Sequence, residues 1–135
     1  MLKRSFTLVM MLAAATALSA HAPQDEHNRE APKTFQWVNQ RSGDCHLSGV
    51  LTLYPDGRAH WDATTWTDST HNRDIWHETL QVVNASNQEL FGFGVWDSPG
   101  MNSPPYGGQY NWSKDGTFPS EFFDQISAAN SLGDC

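Results

Sequence analysis

The residues of this chain whose types and spacing could do chemistry are two acids, a few histidines, two cysteines and a set of aromatic rings. Glu78 falls in an alternating run with Trp76, Leu80 and Val82, and Asp74 stands on the same side. Two carboxyls on a concave aromatic face could serve as general acid and base on a glycosidic bond, if about 5 to 9.5 Å separates them. Desolvation on such a face raises a carboxyl's pKa, which is the tuning an acid catalyst needs. The plainer reading is a strand end that reaches water, or a bulge that turns Glu78 outward.

His60, His71 and His77 could approach one another if their strands are neighbours, and clustered imidazoles bind zinc or copper. The chain has no CxxC or HExxH spacing and no histidine pair at i, i+2 or i, i+4. Isolated surface histidines are therefore expected, with no metal and no cofactor. GxSxG, a phosphate-cradling Gly-Lys-Ser loop and EF-hand spacing are absent as well.

"SGDC" ends at Cys45 and "LGDC" at Cys135, and these are the 2 cysteines of the chain. Their use depends on compartment. Lys3 and Arg4 precede an apolar run from Phe6 to Leu18, and Ala20-His21-Ala22 supplies the small-x-small pattern of a signal-peptidase site. Residues 1–22 are thus predicted to be a signal peptide, the mature protein secreted and soluble. An oxidising compartment favours a Cys45–Cys135 disulfide, worth about 4 to 5 kcal/mol in the chain-entropy model. Free thiols remain an alternative, as does a metal held by Asp44, Cys45, His46, Cys135 and the terminal carboxylate.

Trp66, Trp96, Tyr106, Tyr110 and Trp112 lie in or beside loops, and rings at loop margins stack on sugars or grip apolar ligands. Asp97, Asn102 and Gln109 could fix hydroxyls beside them. The expected ligand contacts are Trp96, Asp97, Asn102, Tyr106, Tyr110 and Trp112. The competing reading is that these rings close the ends of a β core. Asn84-Ala85-Ser86 and Asn111-Trp112-Ser113 satisfy the glycosylation sequon.

These residues have to be positioned by short alternating runs rich in Trp, Thr, Val, Phe and Leu, separated by turn residues, which is an antiparallel β pattern. Residues 23–33 are polar and aperiodic, a flexible leader, and one β domain covers 34–135. Thr34 to Val38 is a first strand with Phe35 and Trp37 on one face. Ser48 to Tyr54 and Arg58 to Thr65 form a hairpin around Pro55-Asp56-Gly57, where Pro presets φ and Gly accepts a positive one. Asp74 to Val83 follows, then Leu90 to Trp96 with Phe91, Phe93 and Val95 inward, and then Gln109 to Ser113. The Pro/Gly-dense 97–108 segment is a loop of functional length. From Phe118 to Asn130 the period changes, and Phe122, Ile126 and Ala129 describe a helical stripe capped by Ser120. The fold predicted is all-β, an antiparallel meander barrel or sandwich of about six to eight strands with a short C-terminal helix. The barrel is preferred because hairpin-linked strands close naturally in that order.

The chain has 15 acidic against 8 basic residues, and removal of Lys3 and Arg4 deepens the excess. Phosphate binding needs surplus Lys and Arg, so nucleic acid and anionic membrane are excluded as partners. All 6 Trp lie after the signal segment, which suits a compact β core or a binding face.

With "FQWVN" (35–39), "GDC" (43–45), "GVLTLYPDGRAHW" (49–61), "DIW" (74–76) and a terminal cysteine, the sequence resembles a group of small secreted microbial proteins, domain-of-unknown-function family 6294. The likeness runs over Phe35 to Cys135. It implies a compact secreted β domain with paired cysteines, and carries no activity or catalytic residue. The function expected is a monomeric, non-catalytic extracellular module for a carbohydrate, a small apolar ligand or another protein. A hydrolase using Glu78 and Asp74, or a secreted inhibitor or toxin, are the alternatives.

Overall fold

Pro55-Asp56-Gly57 turns the chain where the alternation predicts. In the computed structural model, which describes residues 30–70 and 73–135, β2 (Cys45–Leu53) and β3 (Arg58–Thr67) flank this turn. They pair antiparallel in unbroken register from Cys45↔Thr67 to Leu53↔Ala59. Gly57 sits at φ 93°, where a β-carbon would also press on the Phe118 carbonyl, so no other residue suits the turn. The signal segment 1–22, most of the leader and His71 lie outside the described residues.

β1 (Lys33–Ser42) adds to the free edge of β2, with a register shift between Trp37 and Gln40. The other neighbour of β3 is β6 (Tyr110–Thr117), giving a four-stranded sheet of order β1-β2-β3-β6. β4 (His77–Val83) lies between β5 (Glu89–Asp97) and β7 (Ala128–Ser131) in a second sheet of order β5-β4-β7. Leu47, Leu51, Leu53, Ala59 and Trp61 of the first sheet share one core with Leu80, Val82 and Phe93 of the second. Trp61 is buried at its centre, 5.8 Å from the Trp37 ring and 6.3 Å from the Trp112 ring. Residues 31–135 form one compact unit.

The protein is therefore all-β, and a sandwich of two sheets where a meander barrel was the preferred expectation. After β3 the chain leaves its sheet to lay down β4 and β5, and returns only with β6. Among the described residues no ladder joins the two sheets, so the ring does not close.

Two local expectations also change. The helical stripe is only a short 3-10 helix, Ser120–Gln125, and Ala129 belongs to strand β7. The cap position is Pro119, with no side-chain capping bond, so Ser120 does not cap. Register with β4 overrides the local period, since Ala128 to Ser131 complete that sheet opposite Val83 to Leu80. Val95 is 66% exposed rather than inward. It is the extra residue of a bulge, between the pairs Thr79↔Gly94 and Glu78↔Trp96, and it hands the inward row to Trp96.

Candidate functional site

Glu78 keeps the inward parity of β4, and the irregularity that could have flipped it is absorbed by β5. Its exposure is 0%. Trp76 Nε1 donates to its Oε2 at 3.0 Å, and Ser131 Oγ lies 2.8 Å from its Oε1. Burial pushes the Glu78 carboxyl above its ordinary pKa, against the opposing hydrogen bonds from Ser131, Trp76 and the Thr79 backbone. Ser131 Oγ also lies 2.9 Å from Gln40 Oε1. A hydroxyl has one proton to give, so Ser131 shares it between the Glu78 carboxyl and the Gln40 amide oxygen.

Asp74 is placed elsewhere. Its Oδ2 accepts from Thr67 Oγ1 at 2.5 Å, and its carboxylate lies with the sulfurs of Cys45 and Cys135, ligand atoms within 4.8 Å of one another. Cys45 and Cys135 form the disulfide, with Cα atoms 5.9 Å apart and a sequence separation of 90. Sulfurs bonded to each other are not thiolates, the form a metal takes. A glycosidase pair must touch substrate with both carboxyls, and Glu78 offers none of its surface.

His60 and His77 are held by carboxylates on separate sheets. His60 Nδ1 lies 2.6 Å from Asp115 Oδ1 and its Nε2 lies 3.1 Å from Asp62 Oδ2, on the first sheet. The Asp115 hydrogen bond, with help from Asp62, raises the His60 pKa against a smaller desolvation effect. His77 Nδ1 lies 2.6 Å from Asp97 Oδ1, on the second sheet.

The 98–108 loop packs onto the core. Met101 is buried and exchanges backbone bonds with Asp74, while the buried Ser98 hydroxyl accepts from the Trp76 N–H at 2.9 Å. Trp96 stacks on Phe93, and the Tyr110 hydroxyl accepts from the Asn102 N–H at 3.2 Å. Trp96, Tyr110 and Trp112 all pack against the core cluster. Asp97 and Asn102 are exposed, and Tyr106 stands free at 88% exposure. The structure spreads these six residues over core, rim and loop tip.

A recess of about 480 Å³ lies instead on the outer face of the four-stranded sheet. Cross-strand register builds it. Gln36, Val50, Asp62 and Ser113 form one row of outward side chains, and Ser48, Thr64 and Asn111 form the next. Between them runs the row Trp37, Gly49, Ala63, Trp112, whose side chains turn inward and whose backbone makes the floor. Gly49 has to be small, because a β-carbon there would run into the Trp61 ring beneath. Most of the wall side chains are short, so the trough stays open.

Thr64 Oγ1 donates to Asn111 Oδ1 at 2.7 Å, which commits the amide oxygen and leaves Nδ2 to a ligand. One step further along β2 and β3 stand His46 and Trp66, their rings parallel at 1° with centroids 5.1 Å apart. His46 Nε2 is fixed by Asp68 Oδ2 at 2.7 Å. The site is thus a polar trough flanked by an aromatic platform. Of the residues singled out from sequence, Trp112 and its sequon neighbours Asn111 and Ser113 line it, and Trp66 borders it. The others were invisible because outward Ser, Thr and Asn are the ordinary dress of a solvated strand.

A family model described as a family of unknown function (DUF6294) matches residues 50–135, which takes in β3 to β7 and leaves "FQWVN" and "GDC" outside. No curated protein and no solved structure matches the chain.

Proposed function

The chain belongs to this family of unknown function, so its role has to be read from its surface, and we propose that it is an exported, non-catalytic domain binding a carbohydrate in the sheet-face trough. The observation that carries this reading is the pairing of two chemistries. Hydroxyl, amide and carboxylate groups line the recess, as a polyhydroxylated ligand requires, and Trp66, partly exposed in the next row, is a ring type that stacks on sugars. Among the described residues Asp62 is the one carboxylate in the lining, where glycoside hydrolysis uses a pair. Export is supported by the signal-like first residues and the disulfide, which suits an oxidising compartment.

Calorimetric titration with neutral oligosaccharides tests the reading. Asn111→Ala is expected to weaken binding by about threefold to tenfold, the worth of a hydrogen bond, and Trp66→Ala by at least as much. Binding that ignores both substitutions, or no binding to any glycan, overturns it.

A further inference from the structure

The trough crosses the strands rather than following them. β1 and β6 are the outer strands of their sheet, so the floor row from Trp37 to Trp112 runs from one edge to the other. Three strand intervals of about 4.8 Å give a length near 14 Å. That length accommodates a short run of sugar rings, and a floor that reaches both edges lets a chain enter and leave.

Charge narrows the class of chain. Among the lining residues the one charged group is Asp62, and no Lys or Arg stands with it. Beside Asp62 the next titratable groups are those of its own wall, while His46, paired to Asp68, and Arg41 stand in the row past Ser48 and Thr64. His60 reaches Asp62 through Nε2 and Asp115 through Nδ1. Even with His60 protonated, the two carboxylates leave the patch one negative charge. Uronate or sulfated chains would bring a second negative charge to this wall and are disfavoured. An ammonium-bearing sugar would bring the opposite charge.

We propose that the trough takes an internal segment of a linear amino-sugar chain, of the de-N-acetylated glucosamine type, with Asp62 pairing to its ammonium group. This rests on the carbohydrate reading of the trough and goes beyond it by naming the sugar. The neutral amides and hydroxyls of Gln36, Ser48, Thr64 and Asn111 would meet ring hydroxyls, and Asp62 would set the preference.

The test compares β-1,4-linked oligomers of equal length made of glucose, N-acetylglucosamine, glucosamine and a uronic acid, titrated at pH 6 where the amines are charged. The glucosamine oligomer is expected to bind about fivefold more tightly than the glucose oligomer, the scale of an exposed ion pair, with the difference shrinking in salt. In Asp62→Asn the glucosamine-to-glucose ratio should fall to one. Equal binding of these two oligomers to the unsubstituted protein, or a ratio that survives Asp62→Asn, overturns the amino-sugar inference while leaving a glycan trough. Binding of none of the oligomers overturns both.

Discussion

The indole Nε1 of Trp76 donates to Oε2 of Glu78 at 3.0 Å, with both side chains buried on the inward row that leads into β4. Ser131 reaches the other carboxyl oxygen from β7, so Glu78 joins the two strands from inside the sandwich. Its burial is a structural device, closed to substrate.

A protonatable group held this way makes stability depend on pH. The folded-state pKa of Glu78 is raised, so its contribution is fully present below the unfolded carboxyl pKa and is lost as pH rises through the folded value. Glu78→Gln keeps an acceptor for Trp76 and removes the charge. Urea unfolding across pH 4 to 8 should show a flatter profile for Glu78→Gln, with greater stability at the upper end. An unchanged pH profile would contradict this role.

Trp76→Phe keeps the ring bulk and removes the donor. Leaving a buried carboxyl oxygen without its partner should cost about 1 to 3 kcal/mol, read from the denaturant midpoint.

The disulfide ties the last residue to the start of β2 across nearly the whole domain. The double variant Cys45→Ser, Cys135→Ser should lose about 4 to 5 kcal/mol by the loop-closure model. Comparing oxidised and reduced wild-type protein in the same urea titration measures that loss without a substitution.

Much of this was legible in sequence where local chemistry and tertiary structure agree. The Pro55-Asp56-Gly57 hairpin follows from short-range pattern and the cysteine pair from count and the export-like start, and both stand in the structure, whereas Glu78, for which the plainer reading is a wet strand end or an outward flip, is buried. The misread places are those where a distant strand decides. Ala129 scans as helix until β4 claims it, and Val95 scans as core until the bulge displaces it. The trough was illegible for the same reason. Gln36, Val50, Asp62 and Ser113 become one wall only through the registers of three strand pairs, and no window of sequence contains them.

Gly49 is the point where core and trough meet. Gly49→Ala places a methyl against the Trp61 ring, which Trp37 and Trp112 hem in, and overpacking of this kind costs about 1 to 3 kcal/mol. Thermal unfolding checks the loss.

His60 should titrate above an ordinary histidine, chiefly through Asp115, and Asp115→Asn should lower its midpoint in an NMR pH titration. The raised folded-state pKa means that its stabilisation is present at acid pH and fades as pH rises through that midpoint. With His60 and both partners on the surface, the effect on unfolding should be small.

The central claim is the location of the binding face, and backbone-amide NMR mapping during titration with a linear oligosaccharide tests it most directly. Shifts concentrated at Ser48, Gly49, Thr64, Trp66 and Asn111 are the predicted result. Shifts confined to the 98–108 loop, or no shifts with any glycan, would contradict it.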